Sequence, residues 1–498
     1  MIFSQKLFSS FKKNNILNFT LLFSIICIIF WSFHELSILG ADFGIYYIQS
    51  KYLSSDFRLY SEIFDHKGPL YFYFLKTIGK IIGWGKYKAI LSLALTTLTF
   101  FVPIYFLIIK FIKSNIEKIF FILIATSLLI GQDASSSIAF FQEGLLIISL
   151  SKILFADRNL LNFTLIIIFF WLSFFTRIDS ILFFPIIFIY LIDNIKNLSG
   201  ILLKSILIII FLISPILIFQ YLSNYFDFSF KDYWIHNFEF NQWYSSKNAN
   251  NNFLSDIQHF IFRPNGLILS SQTFILPYFL FLTFKKNKTI ATFFQSIKSI
   301  NIFGLNKITY GLLIAIISLL SYLFTKADTP HYILIFLCPS LVYLLKIFSL
   351  KTNNRNLIFT PVIFLLVSFN TSNLMTNFET VFRDLPVEVS YERTLNYIDE
   401  NKIQSLEIIG GMGWPYIISD TRPVSSLVNF WMYKTENPFT TKGLLTQHKI
   451  LLNQKPGYLF WIENGLLKYK NINIYLKELL LNSEIVEDQG YYSMFKIR

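Results

Sequence analysis

The sequence predicts a polytopic α-helical membrane protein ending in a small α/β domain. Three observations carry that prediction. Hydrophobic residues make up 54% of the 498 residues, only 15% are charged, and the mean hydropathy is +0.53; a water-soluble chain of this length needs far more polar surface. Apolar runs approaching or exceeding the ~20 residues that cross a bilayer recur from residue 16 to residue 372. Lysine and arginine collect in alternate connections between those runs.

The runs lie at 16–39, 88–109, 117–131, 138–155, 160–176, 178–193, 201–222, 267–284, 306–324, 331–348 and 357–372, about eleven spans. No small-residue cleavage site follows the first, so it reads as a retained helix. Lys6, Lys12 and Lys13 precede it. Lys110, Lys113, Lys118, Lys152, Arg158, Lys196, Lys204, the lysines of 285–307, Lys346, Lys351 and Arg355 fall on the same side, whereas the short turns opposite hold only Arg177 and Lys326. Basic loops stay inside. The prediction is therefore amino terminus in, carboxyl terminus out, in the plasma (inner) membrane, with outer segments 40–87, 223–266 and 373–498. The net charge of +13 is spent on this orientation, which excludes nucleic acid as the partner it would otherwise suggest. The 58 Phe and 27 Tyr read as lipid-facing bulk and interfacial belts. Cys27 and Cys338 both fall in apolar runs and carry no redox signal.

Chemistry-bearing residues concentrate in the first outer segment. Gly40-Ala41-Asp42-Phe43-Gly44 follows the first span, and Ile45, Ile48 and Tyr52 then recur at helical spacing, with Tyr46 and Gln49 turned toward Asp42. Asp65-His66-Lys67-Gly68-Pro69-Leu70-Tyr71 comes next; Pro69 suits a first helical position. The helix it opens has Leu70, Phe74, Ile78, Ile81 and Ile82 on an apolar face and Lys76 and Lys80 on the other, an interfacial pattern. A carboxylate at the mouth of a membrane helix, with a second acid and a lysine nearby, suits chemistry on a phosphate-linked lipid at the bilayer surface. The bland alternative makes Asp42 a helix-end polar residue and Lys67 a snorkelling anchor.

These strings resemble the GT-C membrane glycosyltransferases, in the branch of the lipid A aminoarabinose transferase and the protein O-mannosyltransferases. There the first outer loop opens on an acid, matched by Asp42; a later stretch reads acid, any residue, Lys, then a Pro-containing turn and an aromatic-rich helix, matched by Asp65-His66-Lys67-Gly68-Pro69 and Leu70-Tyr71-Phe72-Tyr73; and an acid lies at the outer end of the fourth span, matched by Glu143. The match is good over the first 200 residues and one of layout beyond. Three positions depart: Glu143-Gly144 replaces the usual Asp, Gly68-Pro69 replaces paired prolines, and a lone Asp42 replaces the Asp-Glu pair of the mannosyltransferases. The last departure favours a lipid or glycan acceptor over a protein.

The resemblance implies a polyprenyl-phosphate monosaccharide donor and an inverting transfer. Asp42 would take the acceptor hydroxyl's proton, and Lys67 would hold the charge of the departing phosphate. Asp65, His66 and Tyr46 would support them. Glu143 would be a second acid, since ionisable groups at such depth face a cavity or a partner. The resemblance puts an arginine at Arg177 on the donor phosphate, although Arg177 and Asp179 equally form a turn ion pair. His331, which opens a span on the outside, would contact the donor phosphate or a metal; helix-start histidines are also simply interfacial. His34 and Glu35 end the first span. A divalent cation stays unassigned: Asp65, His66, Glu143 and His331 are candidate ligands, without the tight spacing that would mark a site.

The segment 223–266 carries Tyr233, Trp234, His236, Trp243, Tyr244 and His259, suited equally to covering a sugar site and to interfacial packing. From about 373 the charge rises. Val389–Asp399 and Ile472–Leu481 read as helices, and Leu406–Ile409, Tyr458–Ile462 and Tyr491–Ile497 as strands. The expected organisation is a transmembrane GT-C-like module over 1–372 and an extracytoplasmic α/β domain over 373–498 that shapes acceptor access. The alternatives are a flippase or transporter of lipid-linked sugars, against which stand the outer domain and the lack of internal repeats, and an O-antigen-type polymerase or ligase, kept open by His259 and Arg263.

Overall fold

The computed structural model describes most of residues 15–242, scattered residues between 310 and 345, residues 395–409 and a few of 416–423, and most of 450–498. Helices α1 (Asn15–Ser37), α2 (Ala41–Tyr52), α3 (Pro69–Ile82), α4 (Lys86–Phe111), α5 (Asn115–Ile130), α6 (Ser137–Phe155) and α7 (Leu160–Thr176) follow in order. A 3-10 turn over Ile178–Phe183 leads into α8 (Phe184–Ile195), then α9 (Ile201–Phe226), α10 (Phe230–Trp234) and a π turn over Ile235–Glu239. The chain divides into two compact bodies. The first is Met1–Ser32, Ala94–Gln220 and Gln242–Glu379; the second is Phe33–Leu93, Tyr221–Asn241 and Thr380–Arg498.

By length and composition, four helices among the described residues can cross a membrane: Ile16–His34, Lys86–Phe111, Ser137–Phe155 and Leu202–Phe226. Leu160–Thr176 is apolar but shorter. The expected span 178–193 is instead divided. Its α-helical part has 12 residues, about 18 Å, and the 3-10 turn that leads into it adds six residues, about 12 Å. The spans expected at 267–284 and 357–372 lie outside the described residues, and those at 306–324 and 331–348 are described only in part.

Several hydroxyls on these helices bond to main-chain carbonyls or to one another, as an apolar surrounding favours. In α1, Thr20, Ser24 and Ser32 hydroxyls donate to the carbonyls of Ile16, Thr20 and Ile28, each at 2.9 Å. Thr126 of α5 donates to Ser24 of α1 at 2.8 Å. Gly144 lets α6 touch α4 backbone to backbone: a Cβ there would sit 2.4 Å from the Thr99 carbonyl oxygen, the close approach small residues permit between membrane helices. By contrast α9 leaves Leu202, Ile208, Ile209, Leu212, Ile216 and Leu217 exposed, costly in water and natural against lipid.

In the second body, α2 and α3 pack on each other through Tyr46, whose ring meets Tyr71 and Phe72 edge-on at 5.6 and 6.1 Å. α3 buries Tyr71, Phe72, Leu75 and Gly79, whereas Ile81 is 77% exposed. Of the apolar face read from sequence, Ile78 is buried and Ile81 exposed, as a helix with one face toward lipid allows. Lys76, expected beside Lys80 on the polar face, is buried and donates to the Leu53 carbonyl just past the end of α2, where a cation offsets the negative helix end.

The carboxyl-terminal residues form a four-stranded sheet from β1 (Glu407–Ile409), β2 (Leu459–Glu463), β3 (Ser483–Asp488) and β4 (Tyr492–Ile497), with α11 (Lys470–Leu481) between β2 and β3. The order is β1-β2-β4-β3. β1 and β2 run parallel; β4 is antiparallel to both neighbours, with an irregularity between Ile485 and Glu487. Alternate residues Phe460, Ile462, Phe495 and Ile497 build one core with Leu476 and Leu479 of α11.

Candidate active site

In the second body the loop before α3 is tied to its own main chain. The Lys67 N–H donates to Asp65 Oδ1 at 2.9 Å, closing an aspartate turn. Tyr60 Oη donates to the Lys67 carbonyl at 2.6 Å. Tyr60 has φ 65°, uncommon for a bulky residue, and packing fixes it: its ring lies 5.0 Å from Phe228, 5.3 Å from His236 and 6.0 Å from Tyr233. Segments 40–87 and 223–266 therefore meet around Tyr60.

Asp65 is buried and Lys67 is 9% exposed, which a snorkelling anchor would not be. Gly68 is extended, Pro69 takes the first helical position, and no side chain caps the helix start. The lysine thus stands at the positive end of α3. Burial pushes the His236 imidazole down to about 4, against the opposing pull of backbone hydrogen bonds to Asp65 and Tyr60 and of the Asp232 carboxylate. It is neutral at neutral pH. Burial, reinforced by Tyr233, pushes the Tyr60 hydroxyl well up, so it stays protonated and donating.

α2 carries Asp42 in its first turn, although the placement of that side chain lies outside the described residues. Asp42, Tyr46 and Gln49 fall at i, i+4 and i+7, one stripe of the helix; Tyr46 and Gln49 are buried. The other end of α2 is fastened to the carboxyl-terminal segment. Tyr52 Oη donates to the Thr421 carbonyl at 2.9 Å, and Lys51 Nζ to the Tyr416 carbonyl at 3.4 Å. Tyr416 is held in turn: its hydroxyl donates to the Leu406 carbonyl and accepts from the Ile408 N–H at the start of the sheet.

The first body carries Glu143, fully buried on α6. Neither of its carboxylate oxygens has a hydrogen-bond partner among the described residues. Around it the polar groups are joined. Arg177 Nη2 lies 2.8 Å from Asp179 Oδ2, and Gln142 Nε2 donates to Asp179 Oδ1 at 2.6 Å and to Ser180 Oγ at 2.7 Å. Ser173 donates to the Gln142 carbonyl at 3.1 Å. Of the two readings of Arg177, the turn ion pair is present.

The expected residues thus fall into two sets. Tyr46, Asp65 and Lys67 stand in the second body with the backbone of Asp42, and Glu143 and Arg177 in the first. His66 and His331 lie outside the described residues. Tyr60 was not expected at the site, and His236 was named only within the 223–266 string, for which interfacial packing was an equal reading. The one available signal was the aromatic and histidine string Tyr233-Trp234-Ile235-His236, which ends in a π turn, a feature frequent at functional sites. Among the described residues no three His, Cys, Asp or Glu side chains gather as a metal site.

No protein-family model matches the chain, and no curated protein matches its sequence. Its structure is similar to ArnT from Cupriavidus metallidurans, bound to undecaprenyl phosphate (TM-score 0.57, 10% identity) and in the apo state (0.56, 11%), each over 97% of this chain and 98% of the other. A further match is the archaeal oligosaccharyltransferase AglB from Archaeoglobus fulgidus, in complex with an inhibitory peptide and a dolichol-phosphate, with TM-score 0.38 and 11% identity over 97% of this chain and 74% of its own. The chain is a polytopic membrane protein of the GT-C fold, as its first-loop strings implied.

Proposed function

We propose that the chain is a glycosyltransferase that moves a monosaccharide from a polyprenyl-phosphate donor to a hydroxyl of a lipid or glycan acceptor, with inversion. One observation carries the reading most: Lys67, nearly buried, is fixed by Asp65 and Tyr60 at the uncapped positive end of α3. A lysine at a helix start favours an anion there. A lipid phosphate is such an anion, and the ArnT of similar fold holds undecaprenyl phosphate.

In the proposed reaction Asp42 accepts the acceptor's hydroxyl proton. The oxygen attacks the anomeric carbon from the face opposite the phosphate, and the carbon–oxygen bond to phosphate breaks. Lys67 and the α3 amide groups take the charge that develops on the departing lipid phosphate. Tyr46, Asp65 and His66 position these groups. Glu143 serves as a second acid, and Arg177 and His331 as further groups for the donor. The charge asymmetry of the loops supports a site on the extracytoplasmic side of the plasma membrane, about eleven spans, and an outer α/β domain over 373–498.

The test is transfer by purified protein in liposomes, supplied with lipid-phosphate sugars and with glycolipids from cells lacking the protein. Wild type should add one monosaccharide, read by mass. Asp42→Asn should cut turnover by about 10²–10⁴-fold with donor binding retained. Near-normal turnover of that variant would remove Asp42 as the base.

A further inference from the structure

We infer that Tyr73, Lys80, Tyr221 and Tyr225 form a binding site for the phosphate headgroup of an anionic membrane phospholipid. All four belong to the second body. Lys80 Nζ donates to Tyr225 Oη at 2.8 Å and lies 5.2 Å from the centre of that ring. Tyr73 and Tyr221 share a hydroxyl–hydroxyl bond of 2.7 Å. The rings of Tyr73 and Tyr225 meet edge-on at 5.0 Å, and those of Tyr221 and Tyr225 stack at 6.3 Å.

The donor inventory points to a phosphate. An ammonium has three N–H donors and each phenol one. Lys80 uses one donor on Tyr225. The Tyr73–Tyr221 pair uses one of its two protons internally, and Tyr225 keeps its own. The cluster presents a positive charge and a surplus of donors, and none of the four residues is bonded to a carboxylate among the described residues. An acceptor-only anion completes it.

The location points to a lipid. Tyr221 and Tyr225 lie at the end of a candidate membrane span, the level at which tyrosines sit among headgroups. They continue, at four-residue spacing, a stripe of α9 that passes through Ile213 and Leu217, both exposed. Beside Lys80 the fully apolar Ile81 is 77% exposed. Lys80 itself is exposed, unlike Lys67, so a headgroup reaches it from the membrane surface. The inference does not depend on the proposed transfer.

The experiment uses the full chain in phosphatidylcholine nanodiscs doped with phosphatidylglycerol, with bound lipid read by native mass spectrometry. Wild type should retain phosphatidylglycerol in preference to phosphatidylcholine. Lys80→Gln should lower that preference about fivefold, ~1 kcal/mol for one lysine near an anionic surface. The double change Tyr221→Phe, Tyr225→Phe should lower it with the charge kept, and Lys231→Gln, an exposed lysine on α10, should leave it unchanged. Three results would overturn the site: equal retention by Lys80→Gln, an equal loss with Lys231→Gln, or displacement of the lipid by undecaprenyl phosphate. The last would reassign the cluster to the donor. No arm needs turnover, so failure here and failure of the transferase reading are separate results.

Discussion

Two clusters of buried charge are built in opposite ways. Around Lys67 the loop is short-range: an aspartate two residues back and a tyrosine seven residues back hold the lysine's own backbone. Around Glu143 the network is assembled across helices, and its hydrogen bonds join Gln142, Asp179, Ser173 and Ser180, not the carboxylate itself. The first puts a lysine at a helix start; the second leaves a carboxyl group buried in an apolar helix. A buried carboxyl group with no hydrogen-bond partner among the described residues costs stability and suits a group reserved for a ligand. The difference lies in what fixes them, main chain in one case and neighbouring side chains in the other.

The largest effect is expected at Lys67. Lys67→Met should lower kcat/KM about 10²–10³-fold, as loss of one donor to a developing anion does, with the fold retained, because the Lys67 backbone that Asp65 and Tyr60 bind is unchanged. Unchanged kcat/KM would remove the phosphate role. Glu143→Gln is the matching change in the other cluster. It should cost about 10²-fold in turnover and leave stability equal or higher, since it removes a buried carboxyl group that no hydrogen bond supports among the described residues. A destabilised but fully active Glu143→Gln protein would make Glu143 a structural residue and end the parallel.

How far each cluster could be read from sequence follows from the same contrast. Asp65-His66-Lys67-Gly68-Pro69 was legible because its turn and its helix start are local. The strands 407–409, 459–463 and 492–497 were legible from alternation, whereas β3 was not: Glu484, Glu487 and Asp488 interrupt its apolar pattern, as edge strands often do. Hydropathy cannot tell a helix face turned to lipid from one turned to protein, so Tyr71, Phe72 and Leu75 were not seen as the packed side of α3, and Lys76 was read on its polar face. His236 could not be placed because its neighbours Tyr60 and Asp65 come from a distant segment, brought to it by packing alone.

His236 supplies a smaller effect, confined to acid. Its folded pKa of about 4 lies below the ordinary value near 6.5. The unfolded chain therefore binds a proton that the folded chain refuses, and stability falls as pH drops from 6.5 toward 4 and is flat above that window. At pH 5 the loss is about 2 kcal/mol relative to pH 7. His236→Phe should abolish this part of the slope in thermal melts. A slope unchanged in the variant would show that another group sets the acid limit.

The smallest effect is expected farthest from the charge, at Tyr52. α2 has 12 residues, about 18 Å, with Asp42 in its first turn and Tyr52 as its last residue. A helix this short moves as a rod, so the bond from Tyr52 to Thr421 bears on where Asp42 stands. Tyr52→Phe keeps the edge-on contact with the Tyr416 ring, now 6.5 Å away, and removes only the hydrogen bond, worth about 1 kcal/mol. Turnover should fall about two- to fivefold by that scale while donor affinity holds, because Lys67 lies in the loop before the other helix of the pair. Loss of stability with unchanged kcat would make the contact a fastening of the carboxyl-terminal segment only. A fall in kcat at constant donor affinity would show that this segment, more than 350 residues along the chain, helps aim the base.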